Sequence, residues 1–179
     1  MISQKNNIIS GGNFNSVQLN IVSWVDVANC LYTRSAEGNV YMSDNNVNSK
    51  GRGTPKLQTL CKQGQALNWI IYAMDAERRP NGQWPPSVKI NNLVFLNEDG
   101  TNVEDFIVVN ELKIFGGPDK VRSPYTPVYY YWAGIVGDDI PPGIYNYRFV
   151  LEIQTADRNN PLHLNFNTPS LKVISNQGL

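Results

Sequence analysis

Apolar and polar side chains alternate along several stretches of this sequence, and this period of two constrains the fold more than any other feature. In the run from Ile144 to Ile153, every second position is apolar: Tyr145, Tyr147, Phe149, Leu151 and Ile153. Residues 17–21 follow the same pattern, with apolar side chains at the odd positions. Successive side chains of a β-strand point to opposite faces of a sheet, so each run predicts a strand with one buried face.

Roughly ten runs of this kind follow one another, separated by segments rich in Asn, Gly, Pro and Asp that are typical of turns. Residues 44–54 and 77–86 are predicted loops, and a short helix is predicted over residues 26–32, where the alternation is interrupted. We therefore predict an all-β fold, a β-sandwich of roughly ten short antiparallel strands. A closed or partly open β-barrel is the alternative.

Two pairs of neighbouring runs are predicted to form β-hairpins. The runs at residues 56–61 and 67–72 are joined by a four-residue turn at residues 62–65. The aromatic run that ends at Trp132 is joined to the run that begins at Ile144 through a longer turn rich in Asp, Pro and Gly.

The length of 179 residues suits one domain of ordinary size. Residues 1–15 are polar and rich in Asn and Gly, which predicts a flexible N-terminal segment ahead of a single domain over residues 16–179. No secretory signal is visible in this segment, and no stretch approaches the roughly 20 apolar residues of a membrane-spanning helix. We therefore expect a cytoplasmic protein.

The charge balance narrows the choice of partners. Lys plus Arg number 15 and so do Asp plus Glu, so the formal net charge is zero, and charged residues make up only 17% of the chain. A nucleic-acid or anionic-membrane partner would require a basic surface, so neither is expected. A neutral, polar surface also lacks the electrostatic repulsion that keeps copies of a protein apart, which favours self-association.

The sequence contains few groups that could perform catalysis. His163 is the only histidine and lies between two leucines of an alternating run, so it is predicted to be a solvated strand residue. Cys30 and Cys61 are the only cysteines, and we predict free thiols buried as small apolar side chains. No nucleophile motif, phosphate-binding loop or metal-ligand spacing is present. We therefore predict no enzymatic activity, no cofactor and no metal site.

Aromatic and acidic residues in predicted loops are the candidates for ligand binding. Trp84 lies in a Pro-rich loop, where a core role is least expected, and Tyr125 precedes a cluster of aromatic residues at positions 129–132. An exposed aromatic platform stacks a sugar or packs against a partner subunit. Asp138 and Asp139 lie in the turn before Ile144 and supply oxygen ligands. These four residues form the predicted ligand site of a carbohydrate-binding module or lectin.

Four segments together resemble the AidA/PixA family of bacterial inclusion body proteins. They are VDVANCL at residues 25–31, EGNVYMSD at 37–44, LCKQGQALNW at 60–69, and the stretch from YYW at 130–132 to PGIYNY at 142–147. The resemblance implies a small cytoplasmic β-rich protein without enzymatic activity or cofactor, of a type that in some members accumulates as intracellular inclusions. Two features depart from the family pattern. This chain has only three methionines, whereas some members are methionine-rich, and residues 155–179 extend past the usual closing hairpin.

The neutral charge, the lack of catalytic groups and the resemblance lead to one main hypothesis. We predict a non-enzymatic, self-assembling inclusion body protein whose partner is a second copy of itself. The alternative is a carbohydrate-binding module that uses the loop aromatic and Asp/Asn-rich segments, with glycans as partners. The extension at residues 155–179 is expected either to add strands to the domain or to serve as a contact arm between copies.

Overall fold

The computed structural model describes residues 18–74, 88–96, 99–102, 109–116, 130–155, 157 and 159–176. These residues form ten strands and one short helix, in the order β1 Leu19–Asp26, α1 Val27–Thr33, β2 Val40–Asp44, β3 Gln58–Lys62, β4 Ala66–Met74, β5 Val88–Leu96, β6 Val109–Gly116, β7 Tyr130–Val136, β8 Gly143–Ile153, β9 Leu162–Phe166 and β10 Ser170–Ile174. The predicted flexible segment at residues 1–15 lies outside the described residues, so the predicted domain boundary stays a prediction.

The strands form two sheets that pack face to face. Sheet A has the strand order β2-β1-β4-β7-β6, and sheet B has the order β3-β10-β8-β5, with β9 also paired to β8. Among the described strands neither sheet closes on itself, so the predicted β-sandwich is confirmed and the barrel alternative is not.

The prediction that all strands run antiparallel is wrong for two pairs. β1 pairs with β4 in parallel, and β10 pairs with β3 in parallel. Alternation reports which side of a strand faces the core, but it carries no information about the direction of the neighbouring strand. The remaining described strand pairs, such as β1 with β2 and β5 with β8, are antiparallel.

Neither predicted hairpin forms. β3 belongs to sheet B while β4 belongs to sheet A, and likewise β7 belongs to sheet A while β8 belongs to sheet B. The turn at residues 62–65 is a crossover between the sheets. The amide of Gly64 donates to the carbonyl of Val136 at 2.8 Å, and that of Gln63 donates to the carbonyl of Ile174 at 3.2 Å. In these two cases, strands that are consecutive in the sequence therefore lie in different sheets instead of side by side.

The fifth strand joins two runs that the sequence separates. Residues 88–90 and 93–95 are predicted as two short strands, but both belong to β5, which contains a shift of register between Ile90 and Asn92. Such a β-bulge bends a strand and leaves a backbone group for another partner. Here the indole nitrogen of Trp132, on β7 of the other sheet, donates to the carbonyl of Ile90 at 2.8 Å. This hydrogen bond links the bulge of β5, in sheet B, to β7 of sheet A.

Aromatic side chains hold the two sheets together. Trp69 of sheet A meets Tyr147 of sheet B edge-on, with ring centroids 6.1 Å apart, and Phe95 lies 6.5 Å from the same indole. Tyr147 also meets Phe149 at 5.4 Å, and Phe149 stacks on Phe166 at 6.3 Å. Each such pair contributes about 0.5–1.5 kcal/mol beyond the burial of its area. β8 supplies the centre of this cluster, as its alternation predicts.

The predicted short helix is confirmed as α1. The side chain of Asp26 accepts a hydrogen bond from the amide of Asn29 at 3.0 Å and so caps the first turn. Arg34 ends the helix in the left-handed conformation, with φ of 54°.

The extension past residue 155 adds strands to the domain. β9 pairs with the second half of β8, and β10 lies between β3 and the first half of β8. Leu171 and Val173 of β10 are buried in the core. Of the two expectations for this segment, the added strands are confirmed.

The loop at residues 45–57 covers one side of the sandwich. Lys50 and Gln58 exchange two backbone hydrogen bonds, at 3.0 and 2.9 Å, along the free edge of β3. The amide of Gly53 donates to the carbonyl of Met42 at 2.6 Å along the free edge of β2. The loop therefore pairs with the outermost strand of both sheets, and its backbone occupies groups that would otherwise be open to another strand.

Two glycines in this loop give a matched test of its geometry. Gly51 and Gly53 both have φ near +70°, so any other residue there is strained. A Cβ at Gly51 would lie 2.4 Å from the carbonyl oxygen of Lys56, whereas a Cβ at Gly53 meets nothing within 4 Å. We expect Gly53→Ala to lower the free energy of unfolding by about 1–2 kcal/mol and Gly51→Ala to lower it by about 1–3 kcal/mol more.

Urea unfolding of the two variants, followed by circular dichroism, measures this difference. Equal losses of stability would show that the backbone of Lys56 moves away without cost and that the loop is not held in this arrangement.

Candidate functional site

The structure does not assemble the predicted ligand site. Asp138 and Asp139 lie in the exposed turn between β7 and β8, where Asp138 Oδ1 sits close enough to Gly64 that a Cβ there would be 2.9 Å away. Trp84 and Tyr125 lie outside the described residues. A joint site formed by these four residues therefore stays a prediction.

The histidine and both cysteines have the predicted environments. His163 is exposed on β9, opposite in direction to the buried Leu164. Cys30 and Cys61 are free and buried. Burial raises the pKa of the Cys30 thiol to about 11, with a smaller contribution from the carboxylate of Asp26.

The Cys61 thiol is held in its protonated form more strongly. Burial raises its pKa to about 12, and the nearby carboxylate of Asp44 adds to the shift. The thiol also donates to the backbone carbonyl of Lys172 at 3.8 Å. Because the thiolate is the nucleophilic form, neither cysteine is activated. In the described parts of the chain, no group of three or more His, Cys, Asp or Glu side chains is arranged to hold a metal ion.

Asp44 is a buried carboxylate that sequence reasoning places in an exposed loop. Its side chain is fully buried at the end of β2, and Arg52 Nη2 lies 3.7 Å from its Oδ1 atom. The amide of Asn46 donates to the same oxygen at 3.0 Å. Its other oxygen, Oδ2, has no hydrogen-bond partner among the described residues. Continuing the alternation of Val40 and Met42 would have placed Asp44 inward.

A polar cleft of about 360 Å³ opens beside the loop that contains Asn46. Its lining combines six polar side chains with three apolar ones: Asn46, Asn48, Lys62, Gln65, Ser175 and Asn176, with Leu60, Ile174 and the buried Cys61. Asn46 is held in place, since its Nδ2 atom donates to the carbonyl of Leu60 at 2.7 Å. Neither Asp138 nor Asp139 lines this cleft.

The outer face of sheet A is the second candidate site, and it is formed by the outward side chains of β1, β2, β4 and β7. Aromatic side chains form a row across three strands, because Trp24 of β1 is paired with Tyr41 of β2 and with Tyr72 of β4. Trp24 is 36% exposed and Tyr41 is 40% exposed. Directly opposed side chains lie about 5 Å apart, so the row is contiguous.

An aliphatic row continues this surface. Val22 is paired with Ile70, and Ile70 is paired with Tyr131 on β7. Ile135, 46% exposed, extends the apolar surface along β7. Tyr131 belongs to the aromatic cluster at residues 129–132, and the predicted role of that cluster as a binding platform stays a prediction.

Asparagines border the apolar rows. Asn68 Nδ2 donates to Asn20 Oδ1 at 2.9 Å, across the parallel pair β1 and β4. The backbone N–H of Asn20 donates to Asn45 Oδ1 at 2.9 Å. The side chains of Asn68, Asn20 and Asn45 thus line one end of the face as a short neutral ladder, in which Asn20 contributes both its side chain and its backbone N–H.

The two outer faces of the sandwich differ in charge. The outward positions of β1, β2, β4 and β7 carry one charged side chain, that of Asp26, which is engaged in capping α1. The outward positions of sheet B carry charges of both signs on several strands: Lys62, Lys89, Arg148, Glu152 and Lys172. Lys89 and Glu152 form an ion pair at 2.9 Å. A sheet with one solvated face ordinarily carries polar side chains there. The outward positions of sheet B include several charged side chains, whereas those of β1, β2, β4 and β7 combine apolar rows with uncharged asparagines.

Comparisons with known proteins give a family and a fold. A family model described as a domain of unknown function, DUF8788, matches residues 17–159. No curated protein matches the chain. Among solved structures, the chain is similar to the crystal structure of an inclusion body protein, PixA, from Burkholderia cenocepacia J2315. The TM-score is 0.57 and the identity is 7%, over 93% of this chain and 98% of that one.

At this identity the likeness concerns the fold alone, and at that level it confirms the AidA/PixA resemblance drawn from the sequence. Strands β9 and β10 lie past the end of the family match, yet the structural match spans nearly all of the chain. In the part of the chain that the structure describes, no helix is long and apolar enough to cross a membrane.

The raised thiol pKa values predict a decline of stability in alkali. In the unfolded chain the thiols ionise near pH 9.0, while in the folded protein they stay protonated until about pH 11 to 12. Above pH 9 the unfolded state therefore binds fewer protons than the folded state, and the free energy of unfolding falls as the pH rises.

Urea unfolding between pH 8 and pH 11 measures this decline, which we expect to be clearly shallower for the double variant Cys30→Ala, Cys61→Ala. An identical pH profile for the variant and the wild type would contradict the assignment of the effect to these two thiols.

Proposed function

The chain belongs to the family described as a domain of unknown function, DUF8788, and from this premise we propose that it is a self-assembling protein that accumulates as inclusions in the cytoplasm. It acts through packing against copies of itself, without catalysis. Two further findings support this proposal: the fold is that of a protein described as an inclusion body protein, and the formal net charge is zero.

The apolar rows across β1, β2, β4 and β7, on the outer face of sheet A, are the observation that carries the proposal. Three of its side chains, Trp24, Tyr41 and Ile135, are each more than a third exposed to solvent. Burying apolar surface contributes about 25 cal/mol per Å², so leaving such a face in water forgoes a large stabilisation. Contiguous apolar patches of this kind mark interaction sites in soluble proteins.

The absence of net charge lets copies approach closely. Proteins with a large net charge repel one another, whereas a chain with 15 positive and 15 negative side chains does not. The apolar face then supplies an attraction that no long-range repulsion opposes. Together these two properties favour dense, concentration-dependent packing.

We expect the purified protein to associate as its concentration rises, and the expressed protein to collect in inclusions visible by microscopy. The double substitution Trp24→Lys, Tyr41→Lys places two ammonium groups on paired positions of the face. It is expected to weaken association at least about tenfold, since truncation of a central interface tryptophan commonly costs more than about 1.4 kcal/mol. Sedimentation velocity over a range of concentrations measures the change.

Ile144→Lys is the matched control, because Ile144 is 57% exposed but lies on β8, on the outer face of sheet B. This variant is expected to associate as the wild type does. A wild-type protein that stays monomeric in solution and diffuse in the cell at high concentration would refute the proposed function.

Carbohydrate binding is the second candidate, and the polar cleft beside the loop at residues 45–57 favours it. Amide side chains both donate and accept hydrogen bonds, which suits the hydroxyl groups of a sugar. Asn46 and Asn48 come from an Asn-rich segment of the kind that the sequence suggests for this role, and Lys62 and Asn176 also line the cleft.

If the cleft binds sugars, a glycan array probed with the labelled protein will show specific signals, and Asn48→Ala with Asn176→Ala will remove them. Asn48 and Asn176 are exposed, so the fold is expected to tolerate both changes. Asp138→Ala with Asp139→Ala is the control for the predicted turn site. Silence of the wild type on the array, with and without calcium, would eliminate this candidate.

A further inference from the structure

We propose that the elementary contact of the assembly is a two-fold pairing in which the outer faces of sheet A from two copies of this chain pack against each other. This inference rests on the proposed function, because it names the surface and the symmetry through which copies associate. The partner is a second copy, and the contact is face to face, not edge to edge.

The charge distribution favours a symmetric contact. In a two-fold interface the same patch is used by both copies, so residues near the axis meet their own equivalents. A charged patch would then bring like charges together, which costs several kcal/mol. Among the outward positions of β1, β2, β4 and β7, only Asp26 at the end of β1 is charged, whereas the outward positions of sheet B carry four cations and the carboxylate of Glu152. The former surface therefore brings few like charges together when it packs against its own copy.

The asparagine ladder is also complementary to itself. Asn68 Nδ2 already donates to Asn20 Oδ1 and to Gln18 Oε1, so the border offers Asn68 Oδ1 as an acceptor and Asn20 Nδ2 as a donor. A carboxylate can only accept hydrogen bonds and an ammonium can only donate them, but an amide does both. The same border can therefore satisfy an identical border on the second copy.

Edge-to-edge association through β2, β3 or β5 is disfavoured by the fold. The loop at residues 45–57 already pairs with the free edges of β2 and β3, through the contacts of Gly53 with Met42 and of Lys50 with Gln58. β5, at the far end of sheet B, contains a bulge and carries Lys89, and both features discourage the addition of a strand. Face-to-face packing of two copies of sheet A is not hindered by the loop at residues 45–57 or by the bulge in β5.

The size of the face agrees with a reversible contact. The four strands have 8, 5, 9 and 7 residues, and with a rise of about 3.3 Å and a strand spacing of about 4.8 Å they cover roughly 460 Å². Two copies would bury roughly 900 Å² together, which is the size of a weak, transient interface. Such a contact forms at high protein concentration and dissociates on dilution.

A charge-exchange experiment tests both the surface and its symmetry. The pair of Val22 and Ile70 lies in the middle row of the two central strands, β1 and β4, so a two-fold axis through the centre of the face passes close to it. Ile70→Lys and Ile70→Glu would each place like charges at the axis and raise the dissociation constant more than about tenfold. An equimolar mixture of the two variants would restore association, because opposite charges then face each other.

Sedimentation equilibrium of each variant, of their mixture and of the Ile144→Lys control measures these constants, with circular dichroism to verify folding. Loss in both variants and recovery in the mixture would support the pairing. The two-fold pairing would be refuted if both variants associated as strongly as the wild type, or if mixing them restored nothing. In either case, association of the wild type would still support the proposed function. A wild type that never associates would refute both.

Discussion

The packing of Trp69 against Tyr147 is the contact on which the rest of the molecule depends. One ring comes from β4 at the centre of sheet A and the other from β8 of sheet B, and their edge-to-face arrangement sets the two sheets against each other. Because both strands alternate strictly, fixing their inner side chains also fixes which residues point outward. The outer face of sheet A, with Ile70 and Tyr72, is thus a direct consequence of how the core is filled.

The sequence predicts the strands well and their neighbours poorly. Alternation in β4 and β8 identifies the buried residues, since each strand buries the side chains of one parity. It does not show whether two strands lie side by side or in different sheets, and for this reason the predicted hairpin of β3 with β4 is wrong although both strands are predicted correctly. Asp44 shows a related limit of sequence-based prediction. In the sequence, a charged residue at the end of a strand looks like a loop residue, and only the structure shows that Arg52 lies beside its buried carboxylate.

The candidate surface illustrates why a site of this kind is hard to derive from sequence alone. Its aromatic row joins Tyr41, Trp24 and Tyr72, which come from three separate runs. The parallel pairing of β1 with β4 brings Asn20 beside Asn68, 48 positions away, and no local pattern specifies that register. The lack of charge at these outward positions is visible in the sequence, but only the sheet order turns it into a continuous surface.

The position of β10 determines how much of the domain can fold while the chain is still being synthesised. β10 lies between β3 and β8, and the thiol of Cys61 reaches the carbonyl of Lys172 across a separation of 111 residues. Contacts between such distant segments slow folding, because a long stretch of chain must be ordered before they form. Because translation proceeds from the N-terminus, β3 cannot pair with β10 until residues 170–174 have left the ribosome. Sheet B is therefore completed late, and nascent chains shorter than this remain unable to form the finished sandwich.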